Sequence, residues 1–534
     1  MTLIRIFLLL VAASGAALAQ TNTPEIRKLS LEDCIELALH HNFDVQIQRY
    51  NPEINRYMLG AAYGGYDPTI SLSVDHDYNQ SAGGIDAQGR PFGGTETEVN
   101  SFNTSIGGVL PWGTTYSVGA TLSDTFGNRP GSIKGTNIIG YFTNSFVSIN
   151  NPTNRIDFIT PIFNTIPTRP EFEDFSGRLG LLQLRQPLLK NFWIDSTRLQ
   201  ILVDKNLLRS SELDVRNQVI TSVTDVEKAY YDLIYDQENI QVQQKALTLA
   251  ERLVAENKKR VEVGALAPLD EKQAESQAAA SRADLLAALG TEETQQRKLR
   301  SLLSDDYSKW ENVVIQPDSA LVAVPERFNL QESWRKGLAQ RPDLLKQRLA
   351  LEKQGYQVRF SQNQLFPQLD LIGTAGLNAS DSTFSGYLDQ LGRRDNPFWS
   401  IGGQLSIPLG RTTARNNYKI AKATKEQLDL QLKQLVQNAL ISIEDAIATA
   451  HTSFQRVDAT REARIYAEAA LDAEQKKLES GKSTSFEVLR LQRDLTTARS
   501  AEIRALADYN IALAQIAQNE GTTLDRRHVT LEVK

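Results

Sequence analysis

The sequence repeats itself once, and this duplication limits the possible folds more than any other feature of the chain. The segment that begins at Leu29 reads L-S-L-E-D-C-I-E-L-A-L-H-H-N-F-D-V, and from Phe328 it returns as F-N-L-Q-E-S-W-R-K-G-L-A-Q-R-P-D-L. The offset is 299 positions, while further along an offset of 217 positions pairs Gly264 with Gly481. Each half therefore predicts the same order: a helix, strands, a long helix, a turn and a second helix.

Two segments predict helices far longer than those of globular domains. No proline occurs from Asp195 to about Val263, or from Arg411 to about Leu478, and 60 to 70 helical residues would reach roughly 90–100 Å. The first segment carries two apolar stripes at helical spacing rather than one, and two stripes predict a neighbouring helix on both sides, as in a closed layer of helices. The stripes are Val223, Val226, Tyr230, Leu233, Ile240, Leu247, Val254 and Val261, and Tyr235, Val242, Ala246, Leu249 and Leu253.

The segments between these helices alternate apolar and polar residues with a period of two, which predicts half-buried strands. After Pro68 the apolar positions are Ile70, Leu72 and Val74, and before Pro408 they include Trp399 and Ile401. A soluble β-sandwich would produce the same alternation. Aromatic residues near the strand ends favour the interface girdle of an outer-membrane β-barrel instead.

The first half contains many more residues in its strand region than the second. Pro68 to Pro187 spans 119 positions, against 41 from Pro367 to Pro408. Within the extra stretch, 102–110 and 115–124 predict a hairpin closed by a short P-W-G turn. This hairpin either widens a barrel or stands above the membrane, and the sequence leaves both open.

The N-terminus predicts an exported protein. Residues 1–19 combine Arg5, an apolar run from Ile6 and the small-residue site Ala17-Leu18-Ala19, as a secretory signal peptide does. Cys34 is the only cysteine, so no disulfide forms within the chain. The net charge of −6 gives no indication of nucleic-acid binding.

No pattern predicts an enzyme, a cofactor or a metal site. The triplet Gly481-Lys482-Ser483 looks like the end of a phosphate-binding loop, but Lys476 stands where that loop requires its first glycine. The five histidines show no metal-ligand spacing, and no nucleophile motif is present. We therefore expect no catalytic, cofactor-binding or metal-binding residue.

Several features together resemble the TolC-type outer-membrane channel family. They are the opening L-S-L-E-D-C-I-E-L-A-L, the strand after Pro68, the Q-P-L-L that ends the first strand region, and two matched turns, R-V-E-V-G-A-L-A-P-L-D and K-L-E-S-G-K-S-T-S-F-E. The resemblance implies an α+β membrane protein: a trimeric outer-membrane β-barrel continuous with a long periplasmic α-helical barrel, built from two internal repeats. Four to six strands per chain are too few to close a barrel alone, which agrees with a homotrimer.

The resemblance also implies the function and the partners. It predicts the outer-membrane channel of a tripartite efflux pump or type I secretion system, located in the outer membrane and extending into the periplasm. The implied partners are outer-membrane lipid, a periplasmic adaptor protein and an inner-membrane transporter. The alternative is a periplasmic or surface coiled-coil structural protein with a β-rich head.

We expect the following organisation from the repeats. The signal peptide occupies 1–19, the first repeat 20–303 and the second repeat 328–518, with a linker at 304–327 and a C-terminal tail at 519–534. The barrel strands fall at about 68–190 in the first repeat and about 367–408 in the second. The linker and tail are expected to form a girdle around the middle of the tunnel.

Both turns are candidate functional sites. The resemblance implies that Gly264 and Gly481 mark the periplasmic tips where adaptors dock, and each glycine fits the left-handed position that ends a helix. Asp270 and Glu487, each six residues after its glycine, form a candidate carboxylate ring at the tunnel entrance. Alternatively, each acid merely favours a helix N-terminus. Arg490 stands where the family often has another acid, and it is spaced to pair with Glu487.

Overall fold

A computed structural model describes residues 25–85, 89, 91–129, 131–148, 151–264 and 266–530. The predicted signal peptide at 1–19 lies outside this range. The described residues form two compact units. The helical unit takes in residues up to Met58, Asp204–Lys353 and the part from Thr424 onward, and the strand unit takes in Leu59–Val203 and Gln354–Ala423.

The two halves of the chain contain helices of nearly equal length. α3 has 67 residues and its counterpart α8 has 68, while α4 and α9 have 36 each. The helices of the first half are α1 (Leu31–His41), α2 (Phe43–Tyr63), α3 (Ser196–Glu262) and α4 (Pro268–Leu303). Those of the second half are α5 (Leu330–Gln340), α6 (Pro342–Asn363), α7 (Phe384–Arg393), α8 (Thr412–Glu479), α9 (Ser485–Glu520) and α10 (Thr523–Arg526).

The strands are much less evenly divided. The first half holds β1 (Glu25–Leu29), β2 (Thr69–Gln80), β3 (Gly84–Ile85), β4 (Pro91–Phe92), β5 (Glu96–Val109), β6 (Thr115–Asn128), β7 (Gly131–Ser148), β8 (Asn151–Thr168) and β9 (Glu171–Pro187). Then follow β10 (Val313–Pro317), β11 (Gln368–Asp381) and β12 (Pro397–Ser406). Among the described residues, no helix is long and apolar enough to cross a membrane.

The core of the helical unit forms around the first apolar stripe of α3. Val223, Val226, Tyr230 and Leu233 are all fully buried, against α1, α4 and β10. The second stripe is only half-buried between Tyr235 and Leu249 and becomes buried at Leu253. The first stripe is thus the internal packing face as far as Leu233 and again at Leu247, whereas its members Ile240, Val254 and Val261 are half-buried. Much of the second stripe likewise retains contact with solvent.

The segment 304–327 is tied to the N-terminus by a parallel strand pair that the sequence did not predict. β1 and β10 pair from Glu25 opposite Val313 to Leu29 opposite Pro317. Gln296 on α4 fixes this pair, since its side chain accepts from the Ile315 N–H at 3.0 Å and donates to the Ile315 carbonyl at 2.8 Å. Each of these strands has only five residues, too few to show a clear period of two in the sequence. Their pairing is therefore evident only from the structure.

The C-terminal segment is anchored on α3 by a buried ion pair. The Arg527 guanidinium donates to the Glu227 carboxylate. Glu227 is only 1% exposed. Burial raises the pKa of Glu227, and the positive charge of Arg527 opposes that rise. A carboxylate this deeply buried depends on its partner to remain ionised at neutral pH.

The strand unit is built on one six-stranded sheet with the order β12-β11-β9-β6-β5-β2. Every neighbouring pair in it is antiparallel. β7 and β8 form a separate long hairpin, and β3 pairs with β4. The hairpin that we predicted at 102–110 and 115–124 is confirmed as β5 and β6, and it lies inside the sheet, between β2 and β9.

Candidate functional site

Two turns join the long helices, and each contains a glycine with the same backbone conformation. We call 263–267 the first corner, between α3 and α4, and 480–484 the second corner, between α8 and α9. Gly264 has φ +76° and Gly481 has φ +73°. The predicted left-handed conformation is confirmed at both, and glycine adopts it without the steric cost that a Cβ atom brings.

Hydrogen bonds close the last turn of the helix before each corner. In the second, the Gly481 N–H donates to the Leu478 carbonyl at 3.1 Å, and the Lys482 N–H donates to the Lys477 carbonyl at 2.8 Å. This pair of bonds is the Schellman arrangement. In the first, the Gly264 N–H donates to the Val261 carbonyl at 2.9 Å. These bonds satisfy the carbonyls of Leu478, Lys477 and Val261 where the chain leaves each helix.

The two predicted acids occupy the same position, the third residue of the next helix, but they make different contacts. The Asp270 carboxylate accepts from the Ala267 backbone N–H at 3.3 Å. The Glu487 N–H donates to the Thr484 hydroxyl at 3.4 Å, which leaves the Glu487 carboxylate free for another partner. Asp270 thus caps its own helix, a contact that the alternative interpretation, in which the acid favours a helix N-terminus, also accommodates.

Glu487 forms the ion pair that its spacing predicted. Arg490 Nη2 lies 2.7 Å from Glu487 Oε2, with both side chains partly exposed. Nearby, Glu474 accepts from the Ser483 hydroxyl and contacts Lys477 Nζ at 3.0 Å. The Ser483 hydrogen bond, helped by Lys477, lowers the pKa of Glu474. Glu487 and Glu474, which flank the second corner, therefore each have a cationic neighbour.

The charges around the corners nearly cancel. Residues 258–271 contain three basic and three acidic side chains, and residues 474–490 contain four basic and three acidic. An arrangement so balanced produces little net potential, and exposed charges are further screened by salt. The corners do not concentrate negative charge.

The sequence analysis missed a buried link between the two corners. Asn257 on α3 is 1% exposed. Its amide donates to the Asp270 carbonyl at 3.3 Å, and its side-chain oxygen accepts from the Ser485 hydroxyl at 3.1 Å. One side chain thus joins α3, α4 and α9. Asn257 stands alone between charged residues, so only the three-dimensional contact reveals it.

Around this link, all four helix ends share one apolar cluster. The buried members are Leu253, Ala274, Leu471, Leu478, Val488, Leu489 and Leu495. Outside the cluster, Val263 in the first corner is 78% exposed. Two large apolar side chains on the helices that follow the corners are also exposed, Leu269 at 66% and Phe486 at 51%. They occupy equivalent positions under the offset of 217, at the second residue of each helix. The helices that follow the corners thus present a matched pair of apolar side chains beside the buried cluster.

Comparison with known proteins identifies the family. A model of the family described as outer membrane efflux protein matches residues 192–304 and 335–522, more than half of the chain. Outer membrane efflux protein BepC of Brucella suis is 25% identical over 342 residues, which are 63% of this chain and 70% of that protein. Outer membrane protein TolC of Vibrio cholerae is 24% identical over 300 residues, or 56% of this chain and 67% of the relative.

A solved structure agrees with this at the level of the fold. The Campylobacter jejuni CmeC outer membrane channel matches with a TM-score of 0.61 at 16% identity, over 92% of this chain and 86% of that one. The overall folds thus agree, and together with the family match this confirms the predicted resemblance to TolC-type channels. The chain belongs to the outer membrane efflux protein family, and it is a protein of the outer membrane that extends into the periplasm.

Proposed function

We propose that this protein is the outer-membrane channel of a tripartite efflux pump or type I secretion system, and that it conducts cargo passively. The observation that carries the proposal is the matched pair of long helical hairpins. A helix of 67 residues is roughly 100 Å long, more than three times the roughly 30 Å hydrocarbon thickness of a bilayer. Such helices must project from the membrane, and their duplication suits a tunnel wall.

Three copies would form the tunnel and share one β-barrel. The half-buried second stripe of α3 supports this assembly, because a neighbouring chain would cover it. The sheet supports it too, since a strand with a free edge is not stable in lipid. The energy for transport would come from an inner-membrane transporter, coupled through a periplasmic adaptor.

The two corners are the proposed docking points for the adaptor. Gly264 and Gly481 hold the turns, and the exposed Leu269 and Phe486 offer apolar contacts of the kind that bury well at protein interfaces. Leu269→Ser and Phe486→Ser are expected to abolish export by the complete pump while leaving assembly intact. Leu286, which is 62% exposed on α4 away from the corner, provides the control substitution Leu286→Ser.

For the entrance we propose weak ion selectivity. Asp270 caps its own helix, and Glu487 is neutralised by Arg490, so three copies would not form a strong anionic ring. In planar bilayers under a salt gradient, the wild-type channel should show a reversal potential near zero. Arg490→Glu should shift it markedly toward cation selectivity, and an already strongly cation-selective wild type would contradict this proposal.

The native mass tests the channel itself. The protein should be extracted by detergent from purified outer membranes and should have a mass of about three mature chains. A monomer, or a protein found only in the soluble periplasm, would overturn the proposal and favour a coiled-coil structural role.

A further inference from the structure

We infer that each chain contributes six strands to the wall of the outer-membrane β-barrel, so that three copies close a barrel of 18 strands. The inference rests on the proposed trimer. It assigns β5 and β6 to the wall and commits the free edges of the sheet to a second copy of this chain, with β12 of one copy pairing with β2 of the next.

The first argument is that one apolar face extends across all six strands. The strand registers align a continuous row of side chains: Ile70, Ile106, Val118, Leu182, Ala375 and Trp399. Ile70 and Trp399, at the two edges, are each 76% exposed, and Ile106 in the interior is 49% exposed. So broad an exposed apolar surface requires lipid or protein against it.

The opposite face of the same sheet is mostly polar, with apolar exceptions that include Ile372 and Phe398. One row aligns Ser73, Asn103, Thr121, Arg178 and Asn378. A second aligns Gly107, Ser117, Gln183, Thr374 and Ser400. Outer-membrane barrels combine an apolar outer face with a polar inner face in this way, and here β5 and β6 follow the same division as their neighbours.

A bulge keeps β9 aligned with both neighbours. From Leu182 to Leu179, β9 advances three residues, while the paired stretch of β11 advances two, from Ala375 to Leu377. The pairing of β9 with β6 shows the same shift after Gly119. Gly180 lies in this bulge with φ +60°. Without the extra residue, every side chain beyond it would change faces. The apolar and polar faces therefore continue from β6 through β9 to β11.

The apolar band ends at one level on β2, β5 and β6. Directly above it, His76 Nδ1 lies 2.8 Å from Asn100 Oδ1, and the Asn100 amide donates to Asp124 at 3.2 Å. At the other end is the short turn with Trp112, which is 57% exposed. The nine residue steps from Thr115 to Asp124 rise roughly 24 Å at the usual strand tilt, close to the roughly 25 Å band of outer-membrane barrels.

The edges suit head-to-tail closure. Six successive antiparallel strands leave β2 and β12 running in opposite directions, so β12 of one copy can pair antiparallel with β2 of another. Such contacts generate a closed ring when the rotation between copies closes. At a 4.8 Å strand spacing and a 40° tilt, 18 strands place opposite backbones roughly 36 Å apart, against roughly 24 Å for 12 strands.

Cysteine pairs distinguish the two strand numbers in the full chain extracted from outer membranes. With six strands per chain, Ser71→Cys with Ser105→Cys should cross-link within the chain, as should Ser117→Cys with Gln183→Cys. Ser73→Cys, combined in turn with Ser400→Cys, Gln404→Cys or Ser406→Cys, should give covalent dimers and trimers for at least one pair. Wild type, whose only cysteine is the buried Cys34, is the control.

The outcomes separate this inference from the proposed function. If Ser71→Cys cross-links with Gln183→Cys instead of Ser105→Cys in particles of three chains, β2 lies beside β9. The 18-strand wall is then wrong while the channel stands. The same conclusion follows if particles of three chains give no product between chains at any of the three positions on β12. A native mass of one chain overturns the proposed trimer itself.

Discussion

The helical parts of the two halves agree almost residue for residue, whereas their strand parts do not. α3 and α8 differ by one residue, and α4 and α9 are equal in length. Yet the first half supplies four strands to the large sheet and the second supplies two. A helix in a closed layer must match its neighbours along its whole length, so an insertion there disturbs every contact. A sheet accepts a hairpin between two strands without changing their direction. After duplication, the lengths of packed helices are therefore more tightly constrained than the number of strands in a sheet.

The largest expected effect concerns two glutamates that the repeat makes equivalent. Glu227 is buried with Arg527, while Glu444, 217 positions later, is exposed. Arg527→Ala should reduce the free energy of unfolding by about 3–5 kcal/mol, because it leaves a buried carboxylate without its partner. Glu444→Ala should change it by less than about 0.5 kcal/mol. Denaturant unfolding of the purified protein measures both.

A rescue variant sharpens this test. Glu227→Gln combined with Arg527→Ala removes the buried charge as well as its partner, and it should recover much of the loss. If Arg527→Ala and Glu444→Ala reduced the free energy of unfolding equally, the contrast between the buried Glu227 and the exposed Glu444 would be wrong.

The next effect depends on pH. Burial, with Asp232 and Glu292 nearby, raises the pKa of Asp236 to about 6, against the opposing influence of Arg504. The resulting stabilisation is complete below the unfolded pKa of about 4 and is lost as pH rises through about 6. Asp236→Asn should therefore be more stable than wild type by about 2 kcal/mol at pH 8, with little difference at pH 4. Thermal melting across this range measures it.

The second half again supplies the control. Asp445 is exposed on α8, so Asp445→Asn should have a small effect with no comparable pH dependence. A stability difference for Asp236→Asn that is the same at pH 4 and pH 8 would contradict the assigned burial.

The corner glycines should behave alike. Gly264→Ala and Gly481→Ala should each cost about 1 kcal/mol, because alanine is strained at these positive φ angles. Gly290→Ala, at an exposed position within α4, should instead stabilise the protein by about 0.5–1 kcal/mol. Unequal losses at the two corners, measured by denaturant unfolding, would show that the shared left-handed conformation of the two glycines does not imply shared energetics.

The smallest expected effects come from the corner acids. Asp270→Ala removes a cap on a backbone N–H and should cost about 0.5–1 kcal/mol. Glu487→Ala breaks only a partly exposed ion pair and should cost about 0.5 kcal/mol or less. The same unfolding measurement ranks them, and a larger loss for Glu487→Ala would reverse the roles assigned here.

The sequence predicted those features that follow from local periodicity and from repetition. The first stripe of α3, the left-handed glycines and the β5–β6 hairpin could all be inferred, because each is marked by nearby residues. The Asn257 link, the β1–β10 pair and the Arg527–Glu227 ion pair could not, because their partners lie up to 300 residues apart. Whether β5 and β6 lie inside the large sheet likewise required knowledge of the register with β2 and β9.

The most direct test of the whole account is electron cryomicroscopy of the protein extracted from outer membranes, imaged along the barrel axis. The account expects three-fold symmetry and 18 strands in the wall, with β5 and β6 between β2 and β9 in every copy. A three-fold ring of 12 strands, with the β5–β6 hairpin outside the wall, would contradict the wide barrel. A particle without three-fold symmetry would contradict the channel.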